Sequence, residues 1–144
     1  IRVARRMEIP VLACEQYPQG LGPTHPAIAA ELPPDCVAGK LHFSAVAGGC
    51  HGFAAAGSHP QLVVCGMETH VCVMQTVLEL LETGRRVYVV EEAVGSRRDA
   101  DKALALARMR QAGAAIVSRE MVAFEWLRKA DSDLFREISR NFLR

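Results

Sequence analysis

Short apolar runs alternate with longer amphipathic segments through the second half of the chain. Consecutive apolar residues such as Leu62, Val63 and Val64 are typical of parallel strands that are covered on both faces. The predicted strands are residues 61–66, 86–91 and 114–118. The predicted helices are residues 70–83, 99–112, 120–129 and 133–142. This order, with short connections, predicts right-handed crossovers and therefore an α/β fold with a parallel sheet.

The segment 70–83 carries the clearest helical pattern. Its apolar residues recur on one face at helical spacing. These residues are Val73, Val77, Leu80 and Leu81. Thr69 is a suitable N-cap, and Gly84 is a suitable residue to end the helix. The helix is therefore expected to begin directly after a tight turn that follows the strand at 61–66.

The first half of the chain is less regular. An apolar run predicts a strand at 9–14, and a stretch rich in Pro and Gly predicts a loop at 15–23. The other predicted elements are a helical turn near 27–31, an edge strand within 36–43 and a weak Ala- and Gly-rich helix at 44–57. Residues 1–8 resemble the end of a helix, so further residues are expected upstream of Ile1. The length predicts a single domain over residues 1–144.

Composition and charge disfavour two classes of partner. Hydrophobic residues make up 50% of the chain and charged residues 23%, as in soluble globular domains. No apolar run reaches the roughly 18 residues of a membrane span, so no membrane partner is expected. Residues 1–72 carry four basic and five acidic side chains, and residues 73–144 carry 13 and 11, which gives a net charge of +1. Neither half has the basic excess typical of phosphate-backbone binding, so nucleic acid is not an expected partner.

The cysteines and histidines show no metal-binding or disulfide pattern. There are five cysteines and no CxxC motif, which argues against a disulfide framework or a zinc ribbon. The cysteines are Cys14, Cys36, Cys50, Cys65 and Cys72. Free thiols are typical of a reducing compartment. The histidines lack HxxxH spacing, so no metal is expected.

Cys72 is the strongest candidate for chemistry. It lies in the first turn of the helix predicted at 70–83, at the carboxyl end of a parallel strand, where ligands bind in open α/β sheets. Unpaired amides and the helix dipole favour a thiolate there. A buried structural cysteine is the alternative, and Cys65, inside the strand, is interpreted as a core residue. A thiolate nucleophile needs a cation or base, and Lys40 is the only Lys or Arg in residues 8–84, although a lone lysine is more often a surface residue.

Four segments carry a family resemblance. Residues 63–73, Val-Val-Cys-Gly-Met-Glu-Thr-His-Val-Cys-Val, resemble the nucleophile segment of the isochorismatase-like cysteine hydrolase superfamily. Residues 40–44, Lys-Leu-His-Phe-Ser, resemble its Lys-x-x-Phe-Ser segment. Residues 15–22 and 105–114 are similar to the subgroup of isochorismatase domain-containing proteins. The resemblance covers nearly the whole chain and implies a three-layer α/β/α Rossmann-like fold with a parallel sheet.

The same resemblance implies a site built on an Asp-Lys-Cys triad. Cys72 would be the catalytic nucleophile, and Lys40 would stabilise its thiolate. A cis peptide bond between Met67 and Glu68 would turn the backbone amides of Glu68 and Cys72 towards the substrate as an oxyanion hole. The Asp belongs to the first, central strand of the family fold. No segment of this chain matches that strand, which is expected upstream of Ile1, and no residue is assigned to the Asp.

The function implied is hydrolysis of a small amide, imide, ester or related carbonyl compound without a metal or cofactor. The Asp-x-His metal site of nicotinamidases is absent from the sequence, which disfavours nicotinamide as the substrate. A catalytically silent interaction protein with the same fold is the alternative, because a fold does not determine a function. Relatives commonly associate, which implies a homo-oligomer, and free thiols suit the cytoplasm or the mitochondrion.

Overall fold

Strands and helices alternate through the computed structural model, which describes residues 1–50 and 59–143. The strands are β1 (Ala13–Gln16), β2 (Val37–Lys40), β3 (Gln61–Met67), β4 (Arg86–Gly95) and β5 (Ala115–Val117). The helices are α1 (Arg2–Arg6), α2 (Pro18–Leu21), α3 (Pro26–Ala29), α4 (Met74–Glu82), α5 (Asp99–Gln111), α6 (Arg119–Leu127) and α7 (Asp133–Phe142). A π-helical turn, Thr69–Val73, leads directly into α4.

All strand pairs in the described part of the chain are parallel. One sheet contains β1 and β2, and the other has the order β3-β4-β5. The α/β class and the parallel pairing predicted from the sequence are therefore confirmed. In the smaller sheet Gln16 pairs with Lys40, so β1 and β2 end side by side. This register determines which side chains meet at the carboxyl edge.

The main core lies between the larger sheet and the helices α4 and α5. It is an apolar cluster formed by Val73, Val77, Leu80, Val87, Val89, Val94, Ala105, Leu106, Met109 and Ala114. Three of the four residues predicted for the apolar face of the helix after β3 belong to it, and Leu81 packs against it while partly buried. The helical periodicity therefore identified the face that holds α4 against the sheet.

The prediction that β3 is covered on both faces is wrong for the described structure. Leu62 and Val64 pack against the core, whereas Val63 is 39% exposed and Met67 is 70% exposed on the opposite face. Cys65 shares that opposite face, because side chains alternate along a strand, and it is exposed. The interpretation of Cys65 as a core residue is therefore also wrong.

Two boundaries in the first half differ from the prediction. Strand β1 begins at Ala13 and continues through Gln16, into the predicted loop, because its pairing with β2 extends as far as Lys40. Residues 45–49 form turns in place of the first part of the predicted weak helix, and Gly49 adopts a left-handed conformation with φ of 59°. The rest of that predicted helix, 51–57, lies outside the described residues.

Truncating Leu80 to alanine is expected to lower the free energy of unfolding by about 2–5 kcal/mol, because its side chain is 2% exposed and removing it leaves a cavity in the main core. Leu104→Ala is the matched control, since Leu104 lies on α5 and is 71% exposed. This control is expected to change stability by less than about 0.5 kcal/mol. Urea denaturation followed by circular dichroism compares the two. Equal losses would show that the core does not lie where the structure puts it.

Candidate active site

Lys40 is held at the end of β2 by three acceptors. Its side chain is buried, with only 8% of the residue exposed. The Nζ atom donates to Gln16 Oε1 at 2.5 Å, to the His42 carbonyl oxygen at 3.1 Å and to the Phe43 carbonyl oxygen at 2.8 Å. All three acceptors are uncharged, and among residues 1–50 and 59–143 no carboxylate forms an ion pair with this ammonium group. The cation is therefore fixed in position, and within the described part of the chain its charge has no anionic partner.

Gln16 links this cation to Cys72. The Cys72 Sγ lies 3.8 Å from Gln16 Oε1, the oxygen that also accepts from Lys40. The Gln16 Nε2 donates to the Leu41 carbonyl oxygen at 2.7 Å, which orients the amide with its oxygen towards the thiol and the ammonium group. The two residues predicted from the sequence, Cys72 and Lys40, are thus brought to one polar atom.

Gln16 was not identified as a site residue in the sequence. The sequence predicts a loop at Gln16 and so does not place it at the end of a parallel strand, where functional side chains concentrate. A strand extended by two residues would have placed it in register with Lys40. A carboxamide can orient its neighbours but does not accept a proton at neutral pH. The cluster therefore supplies a nucleophile and a cation, and Gln16 does not serve as the base.

Helix α4 is hydrogen-bonded to the segment that follows Lys40, residues 44–45. Thr76 Oγ1 accepts from the Ala45 backbone N–H at 3.0 Å and donates to the Cys72 carbonyl oxygen at 2.7 Å. One helical turn later, Glu79 accepts a hydrogen bond from Ser44 Oγ at 2.7 Å. Helix α4 therefore bonds both to the turn that carries the nucleophile and to the segment after β2.

The start of the helical segment differs from the predicted cap. Glu68 occupies the N-cap position with an extended backbone, and Thr69 is the first helical residue. The buried Thr69 hydroxyl has no hydrogen-bond partner in the described part of the chain, so the assignment of Thr69 as N-cap is wrong. The Glu68 carbonyl oxygen accepts from the N–H groups of Val71 and Val73, both at 3.2 Å, which places a π-helical turn at the nucleophile. The peptide bond between Met67 and Glu68 is cis.

Charged and polar side chains beside the cluster form pairs of their own. The Glu68 carboxylate accepts from the Arg97 guanidinium Nε at 2.9 Å and from the Arg97 backbone N–H at 3.2 Å. His70 Nδ1 lies 3.0 Å from Ser96 Oγ, and its Nε2 lies 4.0 Å from Asp101 Oδ2. These contacts join the π-helical turn to the segment after β4.

The other described cysteines differ from Cys72 in their surroundings. Burial, together with the neighbouring Cys50 thiol, raises the pKa of Cys14 to about 12, so this thiol stays protonated at neutral pH. Cys50 is buried, and desolvation raises the pKa of Cys36 and also that of Cys65, although Cys65 is exposed at the surface. In the parts of the chain that the structure describes, no group of three His, Cys, Asp or Glu side chains is arranged to hold a metal ion. No helix there is both long and apolar enough to cross a membrane.

Comparison with known proteins identifies the family. The isochorismatase domain matches residues 1–121. Isochorismatase domain-containing protein 2A of Mus musculus is 38% identical over 141 residues, which cover 97% of this chain and 67% of the mouse protein. The subgroup inferred from residues 15–22 and 105–114 is therefore confirmed.

Solved structures agree with this match. The MAR1 ribonuclease of Caenorhabditis elegans superimposes with a TM-score of 0.92 at 34% identity, over 100% of this chain and 74% of the worm protein. The YcaC gene product of Escherichia coli, an octameric hydrolase of unknown specificity, gives a TM-score of 0.87 at 26% identity, over 99% of this chain and 72% of that protein. The chain belongs to the isochorismatase domain family.

Proposed function

We propose that the protein is a metal-independent cysteine hydrolase that acts on a small amide, imide, ester or related carbonyl compound. The observation that carries this proposal is the convergence of Lys40 and the Cys72 thiol on Gln16 Oε1. A cysteine in the first turn of a helix, beside a fixed cation, meets the conditions that favour a thiolate. Family membership supports hydrolytic chemistry, since the family includes hydrolases.

The proposed reaction has two stages. The Cys72 thiolate attacks the carbonyl carbon, a C–S bond forms, and the carbonyl π electrons move onto oxygen. The N–H groups of Glu68 and Cys72 donate to this oxyanion, and losing one such donor costs roughly 3–4 kcal/mol of transition-state stabilisation. Collapse of the intermediate breaks the bond between the carbonyl carbon and the leaving group, which takes the proton removed from the thiol, departs as an amine, amide or alcohol and leaves a thioester. Water then attacks the thioester and releases the carboxylic acid and the thiol.

Lys40 acts in this scheme as the cation that stabilises the thiolate. Its three hydrogen-bond acceptors are neutral oxygens, so a thiolate at Cys72 would be the compensating negative charge. The base that removes the thiol proton would be the Asp of the family triad, for which no residue of this chain is assigned. Gln16 orients the nucleophile and the cation but does not take the proton.

Two other functions compete with hydrolysis of a small molecule. One is a catalytically silent interaction protein, which requires a Cys72 thiol of ordinary reactivity. The other is a ribonuclease, favoured by the name of the worm relative and by the exposed Arg97 and Arg98 beside the site. Two facts argue against a ribonuclease: Arg97 is paired with Glu68, and the net charge of the chain is only +1. Fluorescence anisotropy with labelled RNA at low and high salt separates the ribonuclease from the hydrolase, and we expect no salt-dependent binding.

The octameric bacterial relative also supports a homo-oligomer for this protein. We propose that the protein works in a reducing compartment, the cytoplasm or the mitochondrion, because its five cysteines show no disulfide pattern. Light scattering coupled to size-exclusion chromatography measures the molar mass of the protein in solution. A monomer at all concentrations would contradict the proposed homo-oligomer.

Replacing Cys72 by alanine is expected to abolish turnover of small amides and esters while leaving the circular dichroism spectrum unchanged, because the thiol is the nucleophile and is only half-buried. Cys65→Ala is the matched control, since Cys65 is exposed and lies outside the cluster. Its activity is expected to equal that of the wild type. Hydrolysis that persists in Cys72→Ala would contradict the scheme.

Replacing Lys40 by methionine is expected to slow alkylation of Cys72 at pH 7 by about 10- to 100-fold, the equivalent of losing a charge-assisted interaction of roughly 1.5–3 kcal/mol. Mass spectrometry of Cys72 peptides after timed alkylation measures the rate. Lys129→Met serves as the control, because the Lys129 side chain is 70% exposed and pairs only with Asp131 among the described residues. If both variants alkylate at the wild-type rate, Lys40 does not stabilise the thiolate.

A further inference from the structure

We infer that Ser96 is a second nucleophile, separate from Cys72, and that His70 activates its hydroxyl for attack on the phosphorus of a phosphate or phosphonate ester. Asp101 is the carboxylate that orients the imidazole ring and stabilises its positive charge. The inference goes beyond the proposed function, because none of its steps passes through the thiol or through Lys40. It depends on the geometry of three side chains, on the place of Ser96 in the sheet and on donors at the start of α5.

The three side chains are arranged as nucleophile, base and carboxylate. Ser96 Oγ lies 3.0 Å from His70 Nδ1, a distance over which a proton can be transferred. The other ring nitrogen, Nε2, lies 4.0 Å from Asp101 Oδ2. With the ring proton on Nε2, where it faces the carboxylate, Nδ1 has the lone pair that accepts the hydroxyl proton. Enzymes activate hydroxyl nucleophiles with this arrangement, and its contacts are often looser before the substrate binds.

Ser96 lies where functional side chains concentrate in a parallel sheet. It directly follows β4, which ends at Gly95, and Gly95 pairs with Met67 at the end of β3. The hydroxyl therefore shares the carboxyl edge with the turn that carries His70. Ser96 is partly buried, the His70 side chain is 24% exposed and the Asp101 side chain is 37% exposed. A reagent from solvent can therefore approach a hydroxyl whose base is held in place.

Hydrogen-bond donors for a phosphoryl oxygen lie beside Ser96 in the chain. Helix α5 begins three residues later, and among the described residues no side chain caps it at Arg98. The N–H groups of its first turn therefore have no partner within the helix. In the same part of the structure the Arg97 side chain bonds only through Nε, to Glu68, and it is 78% exposed. Helix amides and guanidinium groups stabilise the negative charge that develops on a phosphoryl oxygen.

The inferred reaction is a displacement at phosphorus. Oxygen is a harder nucleophile than sulfur, so the hydroxyl is suited to phosphorus and the Cys72 thiolate to a carbonyl carbon. Ser96 Oγ attacks phosphorus, an O–P bond forms, and the bond between phosphorus and the leaving group breaks. His70 Nδ1 takes the hydroxyl proton and passes it to the leaving group. The products are a phosphorus ester of Ser96 and the protonated leaving group.

The test uses an uncharged alkyl fluorophosphonate on the full chain. Fluoride is the leaving group, so each labelled serine gains the phosphonyl group and hydrogen fluoride is released. Mass spectrometry of peptides gives the labelling rate at Ser96 and at Ser132, the internal control. Ser132 is also partly buried, but its Oγ accepts from the Phe135 backbone N–H at 3.1 Å. We expect Ser96 to react about 100-fold faster or more, as general-base catalysis provides.

Equal labelling rates at Ser96 and Ser132 overturn the inference. They leave the proposed function intact, because the label is measured at serines and not at Cys72. His70→Gln is expected to lower the rate at Ser96 to that at Ser132. A His70→Gln protein with a wild-type circular dichroism spectrum and a wild-type rate at Ser96 overturns the role of His70 as the base.

Two variants at position 101 test the carboxylate as a positioning group. Asp101→Asn keeps the shape and removes the charge, and we expect it to slow labelling of Ser96 by about tenfold because the imidazolium ion loses its stabilising partner. Asp101→Glu keeps the charge and is expected to retain most of the rate. A side chain that acted only by its shape would show the opposite order, and that order overturns the role inferred for Asp101.

Discussion

The hydrogen bond between Lys40 and Gln16 is the interaction on which the site depends. It crosses the ends of β1 and β2, and it exists because the parallel register pairs those two residues. A lysine with only 8% of its surface exposed is costly to bury unless its donors are satisfied, and the carboxamide satisfies one of them while the backbone satisfies the others. Without that acceptor the cation would be drawn towards solvent and away from Cys72.

The core supports this arrangement from the other sheet. Val77 and Leu80 hold α4 against β4, and the same helix begins at the turn that carries Cys72. Ordinary hydrophobic packing thus sets the height of the nucleophile above the sheet. The polar contacts of Thr76 and Glu79 then connect that helix to the segment covering Lys40. Packing therefore positions Cys72, and hydrogen bonds align the segment around Lys40 with it.

The sequence was informative where local patterns determine structure. Consecutive apolar residues and helical spacing predicted the parallel strands and the buried face of α4, and the segment 63–73 predicted the family. The sequence pattern gave wrong predictions where contacts with residues far along the chain determine strand bounds and burial. Gln16 joins a strand only because Lys40 pairs with it, and Cys65 is exposed because only one face of β3 meets the core. The bond between Met67 and Glu68, cis in the structure, was expected from the resemblance and not from residue chemistry.

Thr76 has a consequence for how the two parts of the site are connected. Its hydroxyl donates to the carbonyl oxygen of Cys72 and accepts from the backbone N–H of Ala45. The turn that carries the nucleophile and the segment after β2 are therefore both bonded to Thr76 Oγ1. One side chain thus couples the position of Cys72 to that of the segment after β2. A change at position 76 would therefore be transmitted both to the nucleophile and to the segment that follows Lys40.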